Sequence, residues 1–330
     1  MSSKHFLKVE NLVKHFPIYT RGIFLKKQVG VVHAVDGVSF SVDKGTTFGL
    51  VGESGCGKTS TARSILHLDP PTSGNIYIES ENVNEVFNSN NKNAILELRR
   101  KMQYVFQNPY ASLDPRMTVS DIIMEPLMIH KHVPKTEWHK KLYELLKLVG
   151  LEEYHAERYP HEFSGGQRQR ICIARALAVE PQLLIADEPV ASLDVSVRAQ
   201  ILNLLQDLQQ KLGITYLYIS HDLSTVKHIC HKVAVMYLGK FVEIAEADEL
   251  LSSPLHPYTQ ALLSSIPIPD PETKITRIVL PGEVPSPIHP PSGCRFHPRC
   301  IYAKEHKCVK NVQKLVDVGN GHLVACEKAS

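Results

Sequence analysis

The chain has 330 residues, of which 43% are hydrophobic and 22% charged, values typical of a globular protein that exclude a mainly disordered or fibrous one. Lysine and arginine total 37 against 34 aspartates and glutamates, so the net charge of +3 requires neither nucleic acid nor anionic lipid as a partner. No uncharged apolar run approaches the roughly 18 residues that cross a bilayer, and the first residues lack a secretory signal, which together predict a cytoplasmic protein.

In chain order, residues 6–251 alternate short apolar runs with amphipathic stretches, a pattern that predicts an α/β domain with a largely parallel sheet. Three apolar runs without polar alternation, at 47–51, 183–186 and 215–219, predict buried central strands. Apolar residues at helical spacing over 135–149 predict a helical insertion before the second of these strands.

The composition changes after residue 251, where prolines are too dense for long helices or central strands. We therefore predict one domain at residues 1–251 and a smaller one at 252–330. Four thiolates can bind Zn²⁺ or a [4Fe-4S] cluster, and cysteine gaps of five, seven and seventeen residues match neither a zinc ribbon nor a ferredoxin run. Spacing therefore leaves zinc, an iron-sulfur cluster and unligated thiols open for the four cysteines of the smaller domain: Cys294, Cys300, Cys308 and Cys326.

Residues 52–59 have the sequence GESGCGKT, a G-x-x-x-x-G-K-[ST] phosphate loop placed where a predicted strand leads into a predicted helix. The glycines let backbone N–H groups turn toward phosphate oxygens, and the positive end of the following helix favours the same anion. Lys58 is expected to reach the β- and γ-phosphates and Thr59 to give a hydroxyl to Mg²⁺. The nucleotide contacts predicted from this run are Gly52, Glu53, Ser54, Gly55, Cys56, Gly57, Lys58, Thr59 and Ser60.

An acidic site is predicted at residues 183–188, where an apolar strand ends in Asp187 and Glu188. Successive side chains of a strand point to opposite faces, so one carboxylate can lie near Mg²⁺ while the other faces an attacking water. Taken alone, this pair would indicate no more than a solvated strand end. Together with a phosphate loop, it indicates a nucleotide-hydrolysing site.

A second phosphate-binding helix end is predicted at residues 164–168, SGGQR, which precede an apolar-periodic helix. Ser164 and Gln167 have the spacing of a capping box, so the pattern by itself also fits an ordinary well-capped helix. A helix N-terminus that carries two glycines is nevertheless a good anion site.

These motifs, in this order, resemble the ATP-binding cassette (ABC) ATPase family. The resemblance includes Gln107 in VFQNPYASLDP, Asp194 in SLD and His221 in YISHD, and it extends over nearly the whole chain. It implies an ABC-type P-loop NTPase fold: a RecA-like core, an N-terminal antiparallel β-region and a helical subdomain at about 108–180, followed by the small Pro/Cys-rich extension.

The resemblance also implies a head-to-tail dimer in which ATP lies between one subunit's phosphate loop and the other's signature helix. It assigns Glu188 as the general base, His221 as a γ-phosphate contact and Asp194 as a link between the two sites. Gln107 would contact both Mg²⁺ and the attacking water, and Asp187 would hold Mg²⁺ through water, beside Thr59. The residues acting in trans would be Ser164, Gly165, Gly166 and Gln167. Phe16 occupies the place of the aromatic ring that stacks on adenine, although a core aromatic is nearly as good an interpretation and Tyr19 is a weaker candidate.

The tail, with PLHPYTQALL at 254–263 and PGEVPSPIHPPSGCRFHPRC at 281–300, looks like the C-terminal extension of oligopeptide and dipeptide importer ATPases. This resemblance favours a [4Fe-4S] cluster over zinc, with a structural role. It implies a peripheral protein at the cytoplasmic face of the plasma membrane. Its partners would be a second ATPase subunit, expected to be a paralogue, two transmembrane permease subunits and, indirectly, an extracytoplasmic solute-binding protein, with no nucleic acid. A nickel or other small-solute importer, or a soluble ABC ATPase without a transporter, remains an alternative.

Overall fold

The structure is a computed structural model that describes residues 5–20, 27–266, 277–303 and 307–328. The chain divides into two compact units, each built from several segments. The first unit comprises Met1–Phe6, Val42–Thr47 and Glu81–Ile219. The second comprises Leu7–Ser41, Phe48–Ser80 and Ser220–Ser330.

The strands of the described residues, in chain order, are β1 (His5–Tyr19), β2 (Gln28–Asp43), β3 (Thr47–Val51), β4 (Ser73–Ile78), β5 (Glu81–Asn82), β6 (Met102–Val105), β7 (Leu183–Asp187), β8 (Thr215–Ser220), β9 (Lys232–Tyr237), β10 (Lys240–Glu246), β11 (Val316–Asp317) and β12 (Leu323–Val324). The α-helices are α1 (Lys58–Ile65), α2 (Val83–Asn88), α3 (Lys92–Lys101), α4 (Pro109–Ser112), α5 (Val119–His130), α6 (Trp138–Leu148), α7 (Gly165–Leu177), α8 (Val195–Leu212), α9 (Leu223–Ile229), α10 (Ala247–Ser252) and α11 (Pro257–Ser264).

The first unit contains a parallel sheet in which β7 pairs with β6 on one side and β8 on the other. The residues of β7 and β8 are all buried, which confirms the strands predicted from the unalternating apolar runs. Helix α7 contacts α4, α5, α6 and α8. Helix α5 begins with a capping box between Thr118 and Asp121 and has a left-handed residue, Lys131, at its C-cap. Helix α6 begins within the predicted helical segment.

The second unit contains a sheet in which β3, fully buried as predicted, pairs in parallel with β9. The hairpin of β9 and β10 continues into two short tail strands, because β12 pairs with β10 and β11 pairs with β12, all antiparallel. In a separate sheet, β1 lies between β2 and β4 and pairs antiparallel with β4. The α/β fold class predicted from the sequence is confirmed. Within the described ranges, no helix combines the length and hydropathy that a membrane span requires.

A buried carboxylate attaches the tail to this second sheet. Glu243 of β10 is completely buried and accepts the N–H groups of Leu255 (2.7 Å) and His256 (3.1 Å). Its carboxylate also lies 2.7 Å from Nε2 of His322, while Nδ1 of His322 lies 3.2 Å from Glu249. A buried charge is costly unless it is hydrogen-bonded. These contacts satisfy Glu243 with groups that lie in or next to the tail.

His256, the N-cap of α11, is expected to make the second unit sensitive to acid. Its Nδ1 accepts the N–H of Tyr258 at 3.1 Å, and burial lowers its pKa to about 3 from 6.5. Between pH 3 and pH 6.5 the unfolded chain binds a proton at His256 that the folded chain does not bind. The contribution of His256 to stability is therefore fully present above pH 6.5 and is lost as the pH falls toward 3. We expect wild type to lose about 1.4 kcal/mol of unfolding free energy per pH unit within this window.

The His256→Asn variant is the matched control, because asparagine caps a helix without titrating. Urea unfolding of both chains at about pH 7.5 and about pH 5.5 measures the difference. If both chains lose the same stability, His256 is not the responsible group.

Candidate nucleotide-binding site

The phosphate loop connects β3 to α1 in the second unit, and its glycines are required by backbone conformation and by space. Gly52 has φ 152° and Gly57 has φ 113°, both in the region that favours glycine. A Cβ atom on Gly52 would lie 2.2 Å from the carbonyl oxygen of Met236, and one on Gly57 would lie 2.1 Å from that of Ala34. No other residue type can hold the loop in this conformation without moving its neighbours.

Lys58 folds its side chain back into the loop. It is 5% exposed, and its ammonium group donates to the carbonyl oxygens of Gly52 (2.8 Å) and Glu53 (3.0 Å). The charge therefore lies inside the loop, where phosphate oxygens are alternative acceptors. Burial raises the pKa of the Cys56 thiol, although the nearby Lys58 ammonium opposes this shift. A neutral, buried thiol is not a nucleophile, which supports the interpretation of Cys56 as a small packing group.

Glu53 is held by two tail residues that the sequence did not single out. The Tyr258 hydroxyl accepts the N–H of Glu53 at 2.9 Å. The Arg299 guanidinium donates to both oxygens of the Glu53 carboxylate, at 2.8 and 3.4 Å. A visible signal existed in CRFHPRC, where an arginine stands beside each of two cysteines.

The acidic pair lies in the first unit, and the structure brings Gln107 to it. Nε2 of Gln107 donates to the Glu188 carboxylate at 2.6 Å, and Glu188 has a left-handed φ of 48°. The Asp187 carboxylate is 3% exposed and accepts the hydroxyl of Tyr104 at 2.6 Å. Tyr104 was missed because a tyrosine in a strand has no distinctive sequence signal. As alternation along the strand predicts, the two carboxylates have different partners.

The signature helix α7 begins as the capping box predicts. The Ser164 N–H donates to Gln167 Oε1 at 3.1 Å, and the Gln167 N–H donates to Ser164 Oγ at 3.3 Å. A Cβ atom on Gly166 would lie 2.3 Å from Cγ1 of Val197 in α8. Asp194 caps α8 by accepting the Val197 N–H at 2.9 Å, and this hydrogen bond lowers the Asp194 pKa. The structure therefore places the helix that Asp194 caps against the signature helix, in the same unit.

The remaining predicted nucleotide contacts, His221 and Phe16, lie in the second unit. His221 is exposed and directly follows β8. Phe16 lies on β1 and is half-buried, with the Lys14 ammonium 4.7 Å from its ring centroid, and Tyr19 is 52% exposed. The side chains of His221 and Phe16 therefore both have solvent-accessible surface.

The four tail cysteines line one cavity, together with His256 and Phe296. The Cys294 N–H donates to the Cys308 carbonyl at 2.8 Å, which brings two of the cysteine positions together. Burial raises the pKa of the Cys294 thiol to about 11, and repulsion from the other three thiolates contributes to this shift. Four thiolates that oppose one another's ionisation are a donor set that a bound cation would stabilise. The residues present therefore fit a metal centre.

Comparisons with known proteins agree with this geometry. A family model described as "ABC transporter" matches residues 35–191, and one described as "Oligopeptide/dipeptide transporter, C-terminal region" matches residues 242–308. The oligopeptide transport ATP-binding protein AppF of Bacillus subtilis is 50% identical over 322 residues, which cover 97% of this chain and 96% of that protein. This chain belongs to the ATP-binding subunits of ABC transporters.

Two further relatives support the assignment. The dipeptide transport ATP-binding protein DppF of Escherichia coli is 47% identical over 97% of this chain and 93% of its own. Among solved structures, the dimeric ATP-binding cassette MJ0796 bound to ADP and Pi is 28% identical, with a TM-score of 0.63 over 73% of this chain and 98% of that one. The family, the fold class and the ATP-hydrolysing activity predicted from the sequence are confirmed. The residue roles stay predictions.

Proposed function

We propose that this chain hydrolyses ATP to energise the import of di- or oligopeptides through a multi-subunit ABC importer. The tail carries this proposal, since residues 242–308 match the C-terminal region of oligopeptide and dipeptide transporters. Relatives named for oligopeptide and dipeptide transport align over nearly the full length of the chain. The alignment therefore includes the extension as well as the ATPase domain.

The residues of the proposed site have separate tasks. Lys58 and the backbone N–H groups of residues 52–59 bind the phosphates, and His221 contacts the γ-phosphate. Thr59, Gln107 and Asp187 would hold Mg²⁺, which would neutralise charge on the phosphate oxygens. Glu188 accepts a proton from the water that attacks the γ-phosphorus while the bond to ADP breaks.

The Gln107 contact supports Glu188 as the base. A hydrogen bond of 2.6 Å from the Gln107 amide orients the carboxylate, and the Glu188 N–H donates to the Ile219 carbonyl at 2.9 Å. Both contacts fix the position of a residue whose backbone lies in a sparsely populated region. Holding a base in place before the reaction lowers the cost of reaching the transition state.

The signature helix is proposed to act on ATP held by another subunit. Its capped N-terminus and its two glycines, Gly165 and Gly166, offer backbone N–H groups to phosphate oxygens. The second ATPase subunit is proposed to be a paralogue. ATP-driven dimerisation and hydrolysis are proposed to be coupled to two transmembrane permease subunits. The assembly would lie at the cytoplasmic face of the plasma membrane and serve an extracytoplasmic solute-binding protein.

The four tail cysteines are proposed to bind a structural [4Fe-4S] cluster. All four cysteines line one cavity in the second unit, and the Cys294 N–H donates to the Cys308 carbonyl. The preference for a cluster over a lone zinc ion rests on the resemblance of the tail to that of peptide-importer ATPases. Protein purified without oxygen should then be brown, absorb broadly near about 400 nm and contain acid-labile sulfide. A colourless, zinc-loaded protein would overturn the assignment.

The transport proposal is tested by isolating the tagged chain from its native membranes. We expect two polytopic membrane subunits to copurify, and we expect ATP hydrolysis by the reconstituted complex to rise when the binding protein is loaded with peptide. Stimulation by a nickel-loaded binding protein, with none by a peptide-loaded one, would contradict peptide as the cargo.

A further inference from the structure

Residues 294–300 connect the cysteine cavity to the phosphate loop within the second unit. The segment begins at Cys294 and ends at Cys300, and both cysteines line the cavity. Between them, Arg295 and Arg299 are 7% and 8% exposed, so both guanidinium groups are buried. Buried arginines need partners, and the partners here belong to the ATPase domain.

Arg299 pairs with the phosphate loop itself. Its two Nη atoms donate to the two carboxylate oxygens of Glu53, at 2.8 and 3.4 Å. Such a two-point contact fixes geometry as well as charge. The main chain of Glu53 is held at the same time, by the Tyr258 hydroxyl at its N–H and by the Lys58 ammonium at its carbonyl.

Arg295 and Phe296 fasten the same segment beside the loop. Arg295 donates to the Leu238 carbonyl and to the Asp36 carboxylate. Gly239, which follows Leu238 in the chain, donates its N–H to the Cys56 carbonyl of the phosphate loop at 2.8 Å. Phe296 is buried against Tyr258, with ring centroids 5.4 Å apart. The segment therefore has little freedom while both of its ends are fixed.

The charge of Glu53 matters because of where it lies. A carboxylate on a loop that binds a triphosphate repels that ligand, and the repulsion is strong where water is partly excluded. Arg299 cancels this charge from the side of the tail. Without Arg299, Glu53 would remain as an uncompensated negative charge beside the phosphates.

We propose that Arg299 is a positioning residue that sets the ATP affinity of the phosphate loop by neutralising Glu53, and that it does so while the four-cysteine centre fixes residues 294–300. This inference rests on the proposed metal centre. A group bound by Cys294 and Cys300 closes a short loop, and its loss restores the conformational freedom of the segment. ATP affinity then falls when the centre is lost, which makes nucleotide binding responsive to the metal content of the tail.

The first test measures the Kd of a fluorescent ATP analogue for the full chain purified without oxygen. Arg299→Gln should raise the Kd about tenfold, with unchanged iron and sulfide content. Adding Glu53→Gln to this variant should restore the Kd to within about twofold of wild type, because the repelling charge is removed. Arg116→Gln is the matched control, since Arg116 forms an exposed ion pair with Asp114 in the first unit. A Kd unchanged by Arg299→Gln, or no rescue by Glu53→Gln, would overturn the role of Arg299.

The second test asks whether the cysteine centre acts through Arg299. Removing the metal from the folded wild type with a chelator, and separately replacing Cys300 by serine, should each raise the Kd about tenfold. In the Arg299→Gln background, neither treatment should raise it further. An equal rise of the Kd in both backgrounds, or no rise in wild type, would overturn the coupling.

The results of these tests can be distinguished from a failure of the proposed function. Protein that holds neither iron nor zinc would overturn the coupling together with the metal centre and leave the Arg299 and Glu53 comparison standing. A complex that hydrolyses ATP without importing peptide would count against the proposed cargo and leave both affinity tests unchanged.

Discussion

Replacement of Glu188 by glutamine is expected to lower ATP turnover by at least about a hundredfold, the usual contribution of a general base. The amide cannot accept the proton of the attacking water, yet it has nearly the same shape as the carboxylate and can still interact with Gln107. ATP binding should therefore be retained, and the ATP-bound dimer should accumulate because it closes but does not complete the reaction.

The measurement combines steady-state phosphate release with size-exclusion chromatography in the presence of ATP and Mg²⁺. The matched control is Glu144→Gln, which changes a glutamate whose side chain is 58% exposed on α6 and should keep wild-type turnover. If the Glu188→Gln chain hydrolyses ATP at a near-normal rate, the base is another residue.

Replacement of Lys58 by alanine is expected to have a similarly large effect through a different step. The ammonium group lies inside the phosphate loop, where it now donates to the Gly52 and Glu53 carbonyls. Without this charge the phosphates lose a direct partner, so we expect ATP affinity to fall at least about tenfold and turnover at least about a hundredfold. In contrast to Glu188→Gln, no ATP-dependent dimer should accumulate.

Titration with a fluorescent ATP analogue and the same chromatography measure both parts of this expectation. Lys227→Ala is the control because Lys227 is an exposed lysine on α9 of the same unit. A Lys58→Ala chain that binds ATP as tightly as wild type would show that the loop backbone alone supplies the phosphate contacts.

The local features of this fold followed from the sequence. Apolar runs without alternation correctly located β3, β7 and β8, because strands buried on both faces need no polar side. The S-x-x-Q spacing located the start of α7, because capping is decided by residues three apart. Each of these predictions depends on neighbours within one element.

Contacts between distant segments could not be predicted in the same way. Arg299 and Glu53 are 246 positions apart, and their pairing depends on how the tail returns to the loop. Tyr104 meets Asp187 across 83 positions, through the pairing of β6 with β7. Strand β12 is two residues long, too short for any periodic signal, yet it extends the sheet beyond β10. In the candidate site, sequence motifs identified the predicted reacting groups, whereas the residues that position them were identified from the structure.

Turnover per chain, measured as protein concentration rises from nanomolar to micromolar, tests most directly whether ATP must be held between two subunits. We expect the isolated chain to be nearly inactive when dilute. Its rate per chain should rise with concentration or on addition of the second ATPase subunit, and Ser164→Arg in the signature helix should abolish that rise. A full rate per chain at every concentration, unaffected by Ser164→Arg, would contradict the account.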